Sequence, residues 1–194
     1  MTALFLALGL ALLPPGAARA QDTTPDPGLL TALMARLAAI PQRRATFTED
    51  RHFAALTSDL QSQGWLLYQR PSFLQKMTTG PLPENLTVQG DTLRDTPANR
   101  AERLISLDSQ PEIEALVDAV RGPLSGDLAM LRKHYQVTAS GTLESWHLAL
   151  GPTEPPVQRL LHDVAIDGTD TDIRTIRITQ ANGDTQTMTI APAP

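Results

Sequence analysis

Four histidines, His52, His134, His147 and His162, are the side chains of this 194-residue chain best suited to acid–base or metal chemistry. Two imidazoles that share an ion on one helix face need a spacing such as H-x-x-x-H, which points both rings the same way. Neither that spacing nor H-x-x-E occurs, and each histidine falls on a different expected element, so each is read as a surface or structural side chain. The carboxylates Glu49 and Asp50 are adjacent; on a strand they point to opposite faces and cannot flank one bond. No G-x-S-x-G elbow precedes a helix and no S-x-x-K occurs, while Gly90-Asp91 and Gly126-Asp127 read as turns or helix starts, not phosphate loops. Absence of cysteine removes thiol nucleophiles, cysteine metal sites, disulfides and a lipidated cysteine anchor. Neither catalysis nor a cofactor nor a metal is expected from this inventory.

A different kind of site is implied by Trp65-Leu66-Leu67-Tyr68-Gln69-Arg70-Pro71. A half-buried strand alternates apolar and polar residues, but here four apolar residues run together and a cation follows. Two accounts fit. Trp65 and Leu67 can pack one layer and Leu66 and Tyr68 another, in a buried central strand. Alternatively, one face lines an apolar cavity for an acyl chain, where each buried methylene contributes about 0.8 kcal/mol. With aromatics at only 4% of residues, an aliphatic lining fits better than a stacking site for sugars or bases.

The elements that would hold such a site can be read from periodicity. Residues 1–20 carry an apolar run ending in Ala18-Arg19-Ala20, an A-x-A cleavage signal without a basic n-region, so export with cleavage near Ala20 is expected. That run is too short to span a bilayer. Residues 21–194 then suit one domain with a sizeable core. The formal charge of −5 argues against nucleic acid or an anionic membrane surface as general partners. Asp26-Pro27 is an N-cap followed by proline at N1, and Leu30, Leu33, Met34 and Leu37 recur at helical spacing until Pro41. Strands are expected near 45–53, 62–70, 73–79, 85–90 and 101–107, with turns at Pro81, Pro83, Gly90-Asp91 and 95–99. A second helix carries Ile113, Leu116, Val117 and Val120 at i, i+3, i+4 and i+7, and is expected to stop at Gly122-Pro123. A helical turn over 126–132 follows, with Leu124, Leu128 and Leu131 on one side. Further strands are expected near 133–139, 144–150, 160–167, 172–180 and 185–191, with a hairpin at Asn182-Gly183-Asp184. The order is helix, antiparallel meander, helices, antiparallel meander: an α+β chain whose single curved sheet carries helices on its inner face.

Over residues 28–95 the chain resembles a known family. The stretch Ala45-Thr46-Phe47-Thr48-Glu49, the strand GWLLYQRP over 64–71, the strand 72–79 with Gly80-Pro81, and the turn Gly90-Asp91-Thr92-Leu93 follow the order seen in the periplasmic outer-membrane lipoprotein carrier (LolA-like) family. The resemblance implies an incomplete antiparallel β-barrel of about ten or eleven strands, closed by a lid of two or three helices over a cavity for acyl chains. It places Phe47, Leu66, Tyr68 and Leu74 on the cavity wall, with Leu33, Met34 and Leu37 from the first helix. The lid would comprise Ile113, Leu116, Val117, Val120, Leu124 and Leu128. Arg70, the arginine before the strand-ending proline, would bond the lid and act as its latch. An inner-membrane donor, an outer-membrane acceptor and a monomeric, cofactor-free periplasmic carrier are implied in the same way.

Departures from the family pattern are specific. The aromatic pair expected after Arg70-Pro71 falls on Leu74 and Lys76, and Leu93-Arg94-Asp95-Thr96 lacks the aromatics expected after the turn. They point to a divergent branch whose cargo is another acylated molecule, such as a product of a dedicated lipid or polyene pathway. A sensor or interaction domain of the same architecture is the alternative from another class, and an enzyme with an unrecognised site is a third.

Overall fold

The computed structural model describes residues 25–55 and 59–193; the expected leader with its cleavage signal lies outside them. Helix α1 (Pro27–Ala38) begins as the sequence requires: the Asp26 carboxylate accepts from the backbone N–H of Gly28 and Leu29. Five strands follow, β1 (Gln42–His52), β2 (Leu60–Gln69), β3 (Phe73–Gly80), β4 (Glu84–Gln89) and β5 (Thr92–Pro97), then the short β6 (Arg103–Ser106) and a single 3-10 turn. Helices α2 (Pro111–Ser125) and α3 (Leu128–His134) lead to β7 (Tyr135–Gly141) and β8 (Trp146–Pro152). A short α4 (Pro155–Leu160) precedes β9 (Leu161–Thr169), β10 (Asp172–Gln180) and β11 (Thr185–Pro192).

All eleven strands form one antiparallel sheet in the order β6-β5-β4-β3-β2-β1-β11-β10-β9-β8-β7. The sheet does not close, so β6 and β7 are its edges, and the chain joining them is the segment that carries α2 and α3. This is the α+β incomplete barrel with helices that the resemblance implies.

Register settles the two-sided apolar strand. Leu66 and Tyr68 share a face with Leu74, Val88 and Leu93 across β2–β5, and with Phe47 on β1. This inner face carries the core. Trp65 and Leu67 point outward and are half-buried, with the Arg44 guanidinium 5.6 Å from the Trp65 ring centre.

Two local expectations are corrected, and one unassigned stretch proves helical. Of the stretch 95–99, expected as a turn, residues 95–97 belong to β5, which pairs with β4 from Gln89↔Thr92 to Glu84↔Pro97; the turn is confined to Ala98-Asn99. The Leu93-Arg94-Asp95 alternation hid the strand because a carboxylate, Asp95, occupies an inward position. The Pro155-Pro156 stretch forms α4, too short to show a period. Finally, α2 continues through Gly122-Pro123 to Ser125. A Cβ at Gly122 would lie 2.6 Å from the Leu131 side chain, so this glycine admits α3 to close packing instead of ending the helix.

The true end is Gly126, a left-handed C-cap at φ 67° whose added Cβ would meet the Met34 carbonyl at 2.3 Å. The joint between α2 and α1 is therefore a backbone-to-backbone approach. Gly126→Ala should lower stability by about 2–4 kcal/mol, from backbone strain plus overpacking. For a domain of this size a calorimetric melting temperature should fall by roughly 5–10 °C; an unchanged melting temperature would show that the joint gives way freely.

Candidate functional site

Helix α2 crosses the inner face with its stripes arranged unexpectedly. Its fully buried side is the polar one, with Glu114, Ala115, Asp118, Ala119 and Arg121 turned towards α3, β7 and α4. The apolar stripe Ile113, Leu116, Val117 and Val120 is only half-buried, because it faces a chamber.

Two chambers lie between α2 and the sheet. One, of about 280 Å³, is walled by Ile113, Leu116, Val117 and Val120 from the helix and by Leu86, Val88, Leu93, Ile178 and Met188 from the strands. The other, of about 300 Å³, lies beneath Leu124 and beside Tyr68, Ile173 and Ile190. They share Leu66, Leu74, Val120 and Ile176 as common walls and so adjoin across these four side chains. Volumes of this order suit a small apolar ligand or a length of alkyl chain.

The expected site residues separate into two groups. Leu66, Tyr68 and Leu74 line the chambers, as do Ile113, Leu116, Val117, Val120 and Leu124. Phe47 is buried on the same face, but at the Gly64 end, where the Lys76 ammonium sits 5.0 Å from its ring; it lines neither chamber. Leu33, Met34 and Leu37, placed by the resemblance on the cavity wall, are instead core residues at 0–3% exposure, because α1 is packed on β7 and α2. Leu128 is half-buried against the core and also stands outside both linings.

Arg70 is exposed, and its Nη1 donates to the carbonyl of Ala38, the last residue of α1. Its backbone N–H donates to Pro41 at 2.9 Å. The bond expected to the lid goes to the C-terminal end of α1, which passes β2 where Arg70 emerges. The arginine that bonds α2 to the sheet is Arg121: its Nη1 donates 2.7 Å to the Gly90 carbonyl in the β4–β5 turn, and its Nη2 donates 2.8 Å to Asp118. The i, i+3 pairing of Asp118 with Arg121, the one cation of an otherwise acidic and apolar helix, was the sequence signal for it.

Charge also enters the chambers from the wall. Lys76, at the position where the family pattern is aromatic, points inward and donates 2.7 Å to Glu49, which is 1% exposed. Arg51, at 3.1 Å, and Ser62, at 3.0 Å, complete a ring around that carboxylate, and Gln186 also donates to it. Burial alone would raise the Glu49 carboxyl, but Lys76, followed by Arg51 and Ser62, outweighs it and holds the group below its ordinary 4.5. Lys76 itself is pushed down, chiefly by burial and further by Arg51, because it shares a single carboxylate with that second cation. In the other chamber Arg43 donates to the Thr171 carbonyl, while its buried Nε and Nη2 have no partner. Burial lowers its pKa.

A carboxyl held below its ordinary pKa contributes stability at neutral pH and loses it as pH falls through the folded-state value. Melting temperature should therefore fall as pH is lowered below about 4.5, with Glu49 a principal contributor. Glu49→Gln should cost about 3 kcal/mol at pH 7, by stranding Lys76, and flatten that acid limb. An acid limb of unchanged slope in Glu49→Gln would assign it to other carboxylates.

A search of the curated proteins finds no match to the chain. Among solved structures, a LolA superfamily protein from Nitrosomonas europaea is similar at 10% identity and TM-score 0.45, covering 84% of this chain and 91% of its own. A DUF1329 family protein from Desulfovibrio piger is similar at 9% identity and TM-score 0.48, covering 84% and 88%. The Pseudomonas aeruginosa MucA/MucB complex contains a chain similar at 11% identity and TM-score 0.42, covering 85% of this chain and 58% of that one. The sequence model described as "Outer membrane lipoprotein carrier protein LolA-like" matches residues 23–194, and the chain belongs to this LolA-like family.

Proposed function

We propose that the protein is a periplasmic carrier that shelters the acyl chain of an amphipathic cargo, a lipoprotein or another lipid-linked molecule, beneath α2 and passes it towards the outer membrane. The observation that carries this reading is the pair of adjoining chambers. They meet over Leu66, Leu74, Val120 and Ile176, so one extended chain can occupy both. Apolar walls supply affinity in proportion to the methylenes covered, about 0.8 kcal/mol each. No catalytic constellation is needed for this task, and the family is described by its carriers.

The polar groups at the chamber walls fit a cargo with a polar or anionic end. Arg43 offers two unpartnered N–H directions on one side, and Lys76 with Arg51 supplies one more positive charge than Glu49 cancels on the other. Arg70 and Arg121 act as two catches in this reading, one on the end of α1 and one on α2. Loading competes with the apolar stripe of α2 for the same walls, so moderate affinity suffices and release to an acceptor stays within reach.

Val120→Trp, placed at the junction of the chambers, tests the reading. It should weaken binding of a fluorescent fatty-acyl probe about ten-fold or more while leaving the circular dichroism spectrum unchanged, since excluding two methylenes already costs that much. Native mass spectrometry of the wild type recovered from a bacterial envelope extract should show an acylated species that Val120→Trp lacks. Equal probe binding by both proteins would remove the chambers from the mechanism. Recovery of a stoichiometric protein partner with no acyl species would favour the sensor reading.

A further inference from the structure

Behind α2, on the side away from the chambers, Glu114 and Asp118 lie one helical turn apart and face His134 at the end of α3. All three are buried, with His134 at 1% exposure. The Nδ1 of His134 is 2.9 Å from Glu154, which as a carboxylate only accepts; Nδ1 therefore carries the hydrogen and the Nε2 lone pair is free in the neutral ring. That lone pair is aimed between two carboxylate oxygens, Glu114 Oε2 at 3.6 Å and Asp118 Oδ2 at 3.8 Å, and Nε2 has no hydrogen-bond partner.

These separations decide what belongs there. A hydrogen bond between such groups spans about 2.7–3.2 Å. Ligands at about 2.0–2.2 Å from a tetrahedral ion lie roughly 3.3–3.5 Å from one another. The cluster is too wide for the first and close to the second, with all three donor atoms within 4.8 Å of each other. The second carboxylate oxygens are already engaged, Glu114 Oε1 by Lys133 and Asp118 Oδ1 by Arg121 at 2.8 Å, which leaves one oxygen of each directed at the histidine.

We propose that Glu114, Asp118 and His134 form a binding site for one divalent transition-metal ion, best matched by Zn2+, that ties α2 to α3. Glu154 is the outer carboxylate that orients the imidazole, the arrangement found behind metal-bound histidines. Three carboxylates surround the site against two fixed cations, Lys133 and Arg121, a balance that favours a further positive charge. Burial raises the Asp118 carboxyl even with Arg121 beside it, a cost that a bound cation relieves. The site is independent of the carrier reading, because the chamber-lining residues lie on the opposite stripe of α2.

The test is titration of EDTA-treated protein with ZnCl2, followed by calorimetry and elemental analysis. One Zn2+ per chain and a rise in melting temperature are expected. Mg2+ should not compete, since imidazole is a poor ligand for it. His134→Ala should abolish both effects, and Glu154→Gln, at a half-exposed position, should weaken binding about 10- to 100-fold. Replacing the exposed His52 and His162 and the half-buried His147 together by Gln should leave the stoichiometry intact. The proposal is overturned if the wild type takes up no Zn2+, an outcome that does not depend on any variant folding. It is equally overturned if uptake survives His134→Ala, or if melting responds to pH through His134 but not to Zn2+, which would give the lone pair to a proton.

Discussion

An unclosed sheet with an apolar inner face must be covered by something, and in this molecule the cover is the segment that connects the two sheet edges. β6 and β7 are neighbours in the chain apart from that connection, yet they lie at opposite ends of an eleven-strand order. The linking chain must cross the inner face to get from one to the other. α2 therefore lies over the core through connectivity, not through a stronger apolar stripe than that of α1. Everything at the site follows: the chambers are what remains between a crossing helix and strands that do not reach it.

The two faces of α2 show why a helix can read simply in sequence and behave otherwise in the fold. Ile113, Leu116, Val117 and Val120 have the spacing of a core stripe, and the usual reading would bury them most. Instead Glu114, Asp118 and Arg121 are buried more deeply, because α3, Tyr135 and His134 close over the polar side and engage most, not all, of its polar atoms. The Tyr135 hydroxyl donates 2.8 Å to the Ala115 carbonyl, and Lys133 and Arg121 neutralise the acids. Leaving the apolar stripe incompletely covered is the condition for a binding space.

Local signals in the sequence were strong where structure is local. Asp26-Pro27 caps α1, Gly90-Asp91 makes a two-residue hairpin, and Asn182-Gly183-Asp184 turns β10 into β11. That Leu66 and Tyr68 share one face and Trp65 and Leu67 the other was legible from strand parity, but which face turned inward came only with the family resemblance. Contacts between distant strands were not legible. Lys76 could be seen to make the wall more polar, but its partner Glu49 lies two strands away, and no spacing relates them. Arg70 was legible as a strand-ending cation; which helix it would reach depended on the path of α1. Pro123 misled for a physical reason: proline usually ends a helix, but here the close approach of Leu131 at Gly122 and the turn at Gly126 set the boundary.

The distribution of polar contacts around α2 has a mechanical consequence. On one side the helix is bound to its neighbours by charged and hydroxyl groups, through Glu114, Ala115 and Asp118, and at its C-terminal end by the backbone approach of Gly126 to Met34. Towards β2–β5 it meets aliphatic side chains, which slide without breaking directed bonds, and Arg121 holds the Gly90 turn. An opening that keeps α1, α2, α3 and β7 together as one body and draws β2–β5 away from it breaks only two side-chain bonds among those described, Arg121 to Gly90 and Arg70 to Ala38. Access then resembles two shells parting along an oiled seam, with those two arginines the last points to let go.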